Sequence, residues 1–511
     1  MKKNIGENII NNLIKLIILL IGLILQIIFI FFLYGATNTL ANYANIIFEI
    51  VKFISIIYII YKPVNESYKI IWIILLMFVP VLGFTAYMLW GNNGTPKQLK
   101  KKIQKERKKA KKILIPNNDI YETIKNKERK KEANYLLNVT DYPIYYNDNA
   151  KYFDVGDKYY ENLKQDLLNA KKYILLEFFI ISAGKMWDEI YEILKQKSKE
   201  NVKIYIIYDS LGSLLKKPKK LNKQLEKINV NVLPFNPLTP FIRSYINHRD
   251  HRKIVVIDGL IAYTGGINIG DEYINIKSRL GHWKDCGVRI TGESVKNLIV
   301  IFFKLWNINA KKQINYTKYI EEIKGTKTNN GYIIPYSDNP LNKRNPSENT
   351  YINMINNSKK YVYIMTPYLI LDRETNQALI NASLSGIDVR IMTPYIPDKK
   401  LVNACTKSFY GELLSAGIKI YEYKPGFIHS KTIVSDDEVA YIGTTNFDYR
   451  SFYLNYECGI WIYNTKTELE IKKDFIKTLE KCEEIKLEEW SKRKIDVKIL
   501  EALLRLISPL L

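Results

Sequence analysis

Two of the four histidines in this 511-residue chain begin the same pattern: a histidine, a lysine two positions later and an aspartate five positions after that. These six candidate catalytic residues are His251, Lys253, Asp258, His429, Lys431 and Asp436. An imidazole can act as a nucleophile or as an acid and base, and a lysine ammonium can stabilise an anion. The repeated pattern therefore indicates chemistry on one phosphate-like anion, carried out by a module that is present twice.

The spacing within each motif decides which side chains can act together. Residues two positions apart on a strand point to the same face, so each histidine should lie beside its lysine. Each aspartate lies five residues beyond its lysine, about 16 Å along a strand that rises about 3.3 Å per residue. We therefore expect Asp258 and Asp436 to be structural and to hold the turn that follows them.

Polar residues near the motifs could bind the anion. Asn268 and Asn446 follow a glycine turn, one in each copy, and are candidate phosphate ligands. Ser451 has no counterpart in the first copy, and we expect it either to bind phosphate or to cap a turn. The two remaining histidines, His248 and His282, are expected to pack or hydrogen-bond near the site rather than to transfer protons.

Each motif histidine also needs an acceptor that fixes its tautomer. Asp285 lies 34 positions after His251, and Glu457 lies 28 positions after His429. Both carboxylates precede Cys-Gly and an apolar run, so they occupy equivalent positions in the two copies. We predict that they orient the histidines, with a surface ion pair as the alternative.

These groups suggest a reaction in two steps. A neutral imidazole would attack phosphorus and form a covalent phosphohistidine, while the other imidazole protonates the leaving alkoxide and then activates the incoming hydroxyl. The lysines and asparagines would stabilise charge on the phosphate oxygens. Because the lysines supply positive charge, we expect no metal and no other cofactor. The residues alone do not order the two histidines.

The repetition extends well beyond the motifs. Runs of five to eight β-branched residues alternate with helix-length amphipathic stretches, as in a duplicated α/β domain. The matching segments are 169–181 with 357–370, 200–212 with 385–397, and 228–237 with 417–426. We predict two such domains, 135–325 and 326–511. Four cysteines without paired spacing argue against a disulfide scaffold or a zinc site, and no nucleotide-binding P-loop is present.

Residues 1–92 have the composition of a membrane segment. The runs 16–34 and 70–90 are apolar and each is long enough to cross about 30 Å of hydrocarbon. A cleaved signal peptide is the alternative for the first run. The shorter run 46–61 carries two charges, so we predict an interfacial helix, with a third crossing as the alternative.

The chain has a formal net charge of +24, and part of this charge is clustered. Within a predicted linker, 93–134, the stretch 97–112 holds ten basic residues and one glutamate. The positive-inside rule predicts that this stretch stays cytoplasmic, where it would be attracted to an anionic membrane surface. The terminal stretch 497–511 is amphipathic and could either lie on the bilayer or pack on the second domain.

With these residues in view, the chain resembles the phospholipase D superfamily, whose signature is His-x-Lys-x4-Asp twice in one chain. Within it, the chain is similar to the bacterial cardiolipin synthases, from about residue 50 to the end. The matching stretches are "ESYKIIWIILLMFVPVLGFTAYMLWG" (66–91), "NHRDHRKIVVIDG" (247–259), "GGINIGDEY" (265–273), "HWKDCGVRITG" (282–292), "PGFIHSKT" (425–432), "GTTNFDYRSFYLNYE" (443–457) and "LLRLISPLL" (503–511). Lys284 and Cys286 depart from the Arg and Thr that the family more often carries beside Asp285.

The resemblance implies two duplicated α/β sandwich domains with pseudo-twofold symmetry, preceded by transmembrane helices in the cell membrane. It implies phosphatidyl transfer between two phosphatidylglycerol molecules, which gives cardiolipin and glycerol, with His251 as the usual nucleophile. Hydrolysis by the same chemistry is one alternative. A membrane-anchored nuclease is another, since its charge would suit a phosphate backbone, but the apolar segments favour lipid as substrate and we expect no nucleic acid partner.

Overall fold

The structure, a computed structural model, describes residues 17–28, 39–62, 65–91, 97–237, 247–321, 323, 330–342 and 344–510. The chain forms two compact units. The first comprises 1–96, 238–247 and 505–511, and the second comprises 97–237 and 248–504. The polybasic stretch thus belongs to the second unit. Its helix, Lys97–Ile113, buries Glu106 and Ala110 and packs on the helix Val295–Asn309.

The first unit is helical in its described part. Residues 17–28 are helical, and the remaining elements are the helices Thr39–Tyr61, Glu66–Phe78 and Pro80–Ala86, the π-helical turn Tyr87–Gly91 and the short 3-10 turn Ser508–Leu510. A small core joins Ile59, Trp72, Leu76 and Tyr87. In the terminal stretch, the turn Ser508–Leu510 packs against Glu66–Phe78.

The run 70–90, which was predicted to cross a membrane, is divided between the helices Glu66–Phe78 and Pro80–Ala86 and the turn Tyr87–Gly91. Pro80 cannot donate a helical hydrogen bond, and the run 70–90 is broken at Val79. The side-chain oxygen of Gln26 accepts from the N–H groups of Val81 (3.0 Å) and Leu82 (3.3 Å), which caps the new helix. Part of the run 16–34 lies outside the described residues. Among the helices that are described, none is both long enough and apolar enough to span a membrane.

The second unit is built on two mixed sheets with the same strand order. In the first half, seven strands run across the sheet in the order Ala150–Phe153, Gly287–Thr291, Ile261–Gly265, Lys253–Ile257, Tyr173–Phe178, Lys203–Asp209 and Asn231–Phe235. The last three strands are parallel to one another, and the others are antiparallel to their neighbours. The central strands are buried on both faces, which explains their unbroken apolar runs.

The second half repeats this order within a larger sheet. Its strands are Tyr145–Tyr146, Tyr332–Asp338, Asn455–Tyr463, Val439–Gly443, Thr432–Ser435, Tyr361–Met365, Asp388–Pro394, Lys419–Tyr423 and Cys482–Ile485, with Arg249–Asp250 joined at one side. Shorter pairs join Leu369–Ile370 to Phe447–Asp448 and Gly426–Ile428 to His282–Lys284. The duplicated α/β architecture predicted from the repeats is confirmed.

The remaining helices lie mostly in the second unit, and several of them pack on strands of the two sheets. Besides Lys97–Ile113 they are Asn118–Glu122, Lys127–Thr140, Gly156–Leu168, Lys185–Lys199, Leu221–Lys227, Val295–Asn309, the 3-10 turn Thr317–Tyr319, Pro346–Asn356, Arg373–Leu384, Lys400–Ser408, Tyr410–Ser415, Tyr449–Tyr453, Thr467–Leu479, Leu487–Ser491 and Ile495–Ile507. The helix Val295–Asn309 is apolar on nearly all sides because it contacts strands of both sheets and the polybasic helix. It therefore joins the two halves into one body.

Candidate active site

The two histidine-lysine pairs stand where buried strands begin. His251 lies two residues before Lys253, the first residue of Lys253–Ile257, and His429 lies between Gly426–Ile428 and Thr432–Ser435. All four side chains are buried. Each lysine ammonium donates to the backbone carbonyl of its own histidine, so the two halves use the same local geometry.

Backbone contacts bridge each motif to the opposite half. The N–H of His251 donates to the carbonyl of Tyr456 (2.9 Å), and the N–H of His429 donates to the carbonyl of Lys284 (2.7 Å). Short parallel strand pairs frame both contacts: Arg249–Asp250 with Asn455–Tyr456, and Gly426–Ile428 with His282–Lys284. The acceptors are the residues that precede Glu457 and Asp285, so both carboxylates are brought to the motifs.

The carboxylates are exchanged between the halves. Nδ1 of His251 lies 3.0 Å from both carboxylate oxygens of Glu457, and Nδ1 of His429 lies 2.6 Å from Oδ2 of Asp285. Both candidate carboxylates thus contact a histidine. Their distances from the upstream histidines did not assign partners, and in the structure each carboxylate contacts the histidine of the other half. An ionised carboxylate only accepts, so Nδ1 carries the hydrogen and Nε2 keeps a free lone pair.

Small residues and hydroxyls shape the carboxylate sites. A Cβ on Gly266 would lie 2.0 Å from Oδ1 of Asp285, so only glycine leaves room for that carboxylate. The corresponding residue of the second half is Thr444, whose hydroxyl donates to Glu457. The side-chain amide of Asn455 also donates to Glu457 (3.2 Å).

Burial and mutual charge shift the pKa values of the whole group. Burial, followed by the charges of both motif lysines, lowers the pKa of each histidine well below its ordinary value. Burial lowers the pKa of Lys253 to about 7 and that of Lys431 to about 8, although Glu457 and Asp285 partly oppose it.

Burial also raises the pKa of Asp285 to about 6 and that of Glu457 to about 7. The charge of His251 contributes to the shift at His429, and each lysine acts on both histidines. The two imidazoles, two ammonium groups and two carboxylates therefore lie together in one site. At neutral pH the imidazoles are neutral and each has a lone pair.

The asparagines and Ser451 are held by protein contacts. Asn268 accepts from the N–H of Ile180 (3.0 Å) and donates to the hydroxyl of Tyr273 (2.9 Å). The amide group of Asn446 donates to Asp448 (3.2 Å), while its side-chain oxygen is buried without a hydrogen-bond partner in the described protein.

Ser451 takes part in the same turn. Its hydroxyl accepts from the N–H of Asn446 (3.1 Å), and its own N–H donates to the capping residue Asp448 (2.6 Å). These contacts match the turn-capping alternative for Ser451. They also build the loop that carries Asn446.

The motif aspartates lie away from the histidines. Asp258 accepts from the backbone N–H groups of Lys171, Lys172 and Tyr173 at 2.6–2.8 Å. Asp436 binds the corresponding N–H groups of 359–361 at 2.8–3.1 Å. Each carboxylate therefore holds the start of the neighbouring central strand, rather than the turn that follows it.

Aromatic rings line the histidines, and the sequence analysis missed them. Phe179 lies 5.1 Å from the ring of His251. Three rings surround His429 at 5.4–5.8 Å: Tyr273, Trp283 and Phe427. Phe427 and Trp283 could have been found from their positions beside His429 and Asp285. Phe179 directly follows a central strand, which is the available signal in its case.

The two other histidines contact different groups. Burial lowers the pKa of His248 to about 4, with the charges of Arg249 and Arg450 acting in the same direction. Nδ1 of His282 lies 3.0 Å from the hydroxyl of Tyr423. In the described residues, one acidic group has a spacing that could hold a metal ion, Glu348, Asp372 and Glu374, and it includes no motif residue.

The duplicated sheets and the shared two-histidine site define the class of a two-module α/β enzyme, and comparison with known proteins identifies the family. A family model described as "Cardiolipin synthase, PLD-like domain" matches residues 163–306 and 351–479. A second model, "Phospholipase_D-nuclease N-terminal", matches 50–92. The chain belongs to the cardiolipin synthase family of phospholipase D-like phosphatidyltransferases.

Individual relatives agree with this assignment. The chain is 36% identical to a cardiolipin synthase of Halalkalibacterium halodurans, over 86% of this chain and 88% of that protein. It is 35% identical to cardiolipin synthase 2 of Bacillus anthracis, over 88% and 87% of the two chains. The fold is similar to that of a phosphatidylserine synthase of Haemophilus influenzae, with a TM-score of 0.57, 16% identity, and coverage of 75% of this chain and 100% of that one.

Proposed function

We propose that the protein is a cardiolipin synthase that transfers a phosphatidyl group from one phosphatidylglycerol to another and releases glycerol. The observation that carries this proposal is the exchanged pairing, in which two neutral imidazoles, each oriented by a carboxylate of the other half, share one buried site with two lysines. Such a site can bind one phosphodiester and attack it from one side while protonating it on the other.

In the first step, Nε2 of His251 attacks phosphorus and the bond from phosphorus to the glycerol oxygen breaks. His429, protonated when the anionic phosphate binds, gives its proton to that oxygen, and glycerol leaves. The product is a phosphatidyl-histidine. Glu457 stabilises the positive charge that develops on His251, because its carboxylate accepts from Nδ1.

In the second step, His429 removes the proton from a hydroxyl of a second phosphatidylglycerol, and that oxygen attacks phosphorus. The bond to His251 breaks and cardiolipin leaves. Lys253 and Lys431 stabilise the phosphate oxygens in both steps, and Asn268 and Asn446 hold the loops beside them. The phosphodiester broken and the one formed are equivalent, so the exchange needs no nucleotide.

We further propose that residues 1–92 attach the enzyme to the cell membrane as a multi-pass segment and that the catalytic domains, 135–325 and 326–511, face the cytoplasm. The match of 50–92 to an amino-terminal family model supports a dedicated segment there. The exposed lysines of the helix Lys97–Ile113 would contact anionic headgroups, since the buried side of that helix is used by Glu106 and Ala110.

A lipid-product assay tests the reaction. Purified full-length protein is given phosphatidylglycerol in mixed micelles, and the lipids are separated. Cardiolipin together with glycerol is the expected result, whereas phosphatidic acid alone would show that water is the acceptor and would overturn the synthase assignment. We expect EDTA to have no effect because lysines supply the positive charge, and strong inhibition would contradict this scheme.

An adduct-mapping experiment tests the order of the histidines. His429 acts as the acid in the first step and as the base in the second, so the adduct is sought in the wild-type protein. Quenching during turnover should trap a phosphatidyl adduct on His251, which mass spectrometry detects after acid-free digestion. His251→Ala should give no adduct. An adduct on residue 429 of the wild-type protein would reverse the two roles.

A further inference from the structure

Two loops beside the candidate site expose leucine and lysine together. In the first half, loop 210–220 follows the strand Lys203–Asp209 and reads "SLGSLLKKPKK". Leu214 is 43% exposed and Leu215 is 96% exposed, and four lysines follow them within five residues. Single exposed leucines are common on protein surfaces, whereas an exposed leucine pair joined to a lysine cluster combines the two kinds of side chain that contact a lipid bilayer.

The second half carries the counterpart at the same point of the repeat. Loop 395–401, which includes the first two residues of the helix Lys400–Ser408, follows Asp388–Pro394, and that strand occupies in its sheet the place of Lys203–Asp209. Tyr395 and Leu401 are about half exposed, and the loop also contains the exposed residues Lys399 and Lys400. We call loops 210–220 and 395–401 together the rim.

The rim lies at the sheet edge where the motifs begin. Phe178, at the end of the central strand, pairs with Lys253 on one side and with Tyr208 on the other. In the second half, Met365 pairs with Thr432 and Met392. After burial and the motif lysines, the charge of Lys399 also lowers the pKa of both motif histidines, so this lysine lies within electrostatic range of the site.

Loop 210–220 is braced, so the exposure of its leucines is built into the fold. The carboxylate of Asp209 accepts from the N–H groups of Leu211 and Gly212, both at 2.9 Å. The hydroxyl of Ser213 donates to the carbonyl of Phe179 (3.2 Å) and accepts from the N–H of Ile181 (3.0 Å). The ring of Phe179 also contacts the ring of His251, so a continuous series of contacts connects the loop to the histidine.

We propose that the rim is the surface on which the catalytic unit contacts an anionic phospholipid bilayer, with Leu214 and Leu215 inserted at the acyl boundary and the lysines at headgroup phosphates. The proposal rests on the proposed function for its lipid substrate. The charge of the rim favours an anionic surface as its partner. The acidic residue within the rim, Asp398, accepts a hydrogen bond from the hydroxyl of Tyr368 (2.6 Å), and the nearby Glu272 forms an ion pair with Lys216 (2.9 Å). The rim therefore presents cations and apolar side chains outward.

A fluorescent label tests the contact directly. An environment-sensitive dye is attached to Leu215→Cys and, as a matched control, to Leu260→Cys. Leu260 is an exposed leucine of the same half (61%) in the turn at the other end of the motif strand. Unsubstituted protein gives the background from the native cysteines, of which three are buried and Cys482 is partly buried.

Both full-length proteins are reconstituted in vesicles of phosphatidylcholine with and without phosphatidylglycerol. We expect the label at 215 to shift to the blue in vesicles that contain phosphatidylglycerol, while the label at 260 keeps its aqueous emission. Equal emission at the two positions would overturn the proposal. A shift at 215 in a protein that makes no cardiolipin would support the docking surface and count against the proposed reaction instead.

Kinetics provide a second test, because a purely structural role of the two leucines would not change the KM for lipid. Leu214→Asn with Leu215→Asn should raise the apparent KM for the mole fraction of phosphatidylglycerol in mixed micelles by about tenfold, as expected when two interfacial leucines are lost. Leu260→Asn should leave it unchanged. An unchanged KM in the double variant would contradict the proposal, and thermal unfolding in detergent controls for folding.

Discussion

At the scale of single residues, burial and neighbouring charges together set the protonation states of the groups in the site. Both imidazoles are kept neutral by burial and by two adjacent ammonium groups, whereas the same burial brings the lysines and carboxylates close to neutral pKa values. A neutral imidazole is the form that can attack phosphorus. Residue types and spacing were enough to predict the two histidines and two lysines, because histidine is rare here and the motif occurs twice; Asp285 and Glu457 were found from their equivalent positions before Cys-Gly.

The pKa values predict a bell-shaped dependence of kcat/KM on pH. The carboxylates must be ionised, and their raised pKa values of about 6 (Asp285) and about 7 (Glu457) mean that activity is lost as pH falls through this range. The lysines must be protonated, and their lowered pKa values of about 7 (Lys253) and about 8 (Lys431) mean that activity is lost as pH rises. Initial rates of cardiolipin formation over roughly pH 5 to 9 would measure both limbs. Full activity maintained well above pH 9 would contradict the role of the lysines.

At the scale of elements, the motif aspartates are clamps. Asp258 and Asp436 both have positive φ angles (55° and 58°) and each binds three consecutive backbone N–H groups at the start of a central strand. The distance along a strand between each lysine and its aspartate predicted that these aspartates are remote from the histidines. It could not identify their partners, because those N–H groups lie 75–87 positions earlier in the chain.

Replacing either motif aspartate should lower the free energy of unfolding more than it lowers the turnover rate of the folded protein. Asp258→Ala removes charge-assisted hydrogen bonds and puts alanine at a positive φ, so we expect a loss of about 2–4 kcal/mol in the free energy of unfolding. Asp258→Asn tolerates the backbone conformation and should lose less, about 1–2 kcal/mol. Thermal unfolding in detergent measures the loss, and turnover at low temperature is the control. A stable but inactive Asp258→Ala protein would instead assign the carboxylate a direct part in the reaction.

A second prediction at this scale concerns the short strand pair of Gly426–Ile428 with His282–Lys284, which His429 directly follows. A Cβ on Gly426 would lie 2.3 Å from the carbonyl oxygen and 2.5 Å from the nitrogen of His282, both backbone atoms. Gly426→Ala should therefore open the pair, displace His429 and lower kcat by at least about tenfold. Gly411→Ala is the matched control, since its new Cβ would meet only Trp490 at 3.3 Å or more. Wild-type activity in Gly426→Ala would show that the pair does not position the histidine.

At the scale of the whole molecule, the repeats predicted two equivalent modules but not how the modules share residues. Each half has one histidine and one carboxylate in matching positions, so nothing local indicates which carboxylate serves which histidine. The partners are separated by 206 and 144 positions, and only the parallel pairs between the halves decide the exchange. The role of the buried helix Val295–Asn309, which contacts both sheets, depends on the same tertiary information.

The shared site predicts how two inactive variants behave together. His251→Ala and His429→Ala should each be inactive, and an equimolar mixture should remain inactive because one chain supplies every group of its own site. Cardiolipin formation by the mixture, measured against each variant alone at equal total protein, would mean that sites are completed between chains. The mixture of wild type with either variant controls for inhibition.

The exchanged carboxylates also bear on how such a chain could have arisen. An isolated half would keep its histidine but lack the acceptor that orients it, so a single-module ancestor could have become competent only by pairing with another copy of itself. In such a history, fusion of the two genes would make that pairing permanent and would leave the halves free to diverge, and Gly266 and Thr444 now differ around their carboxylates.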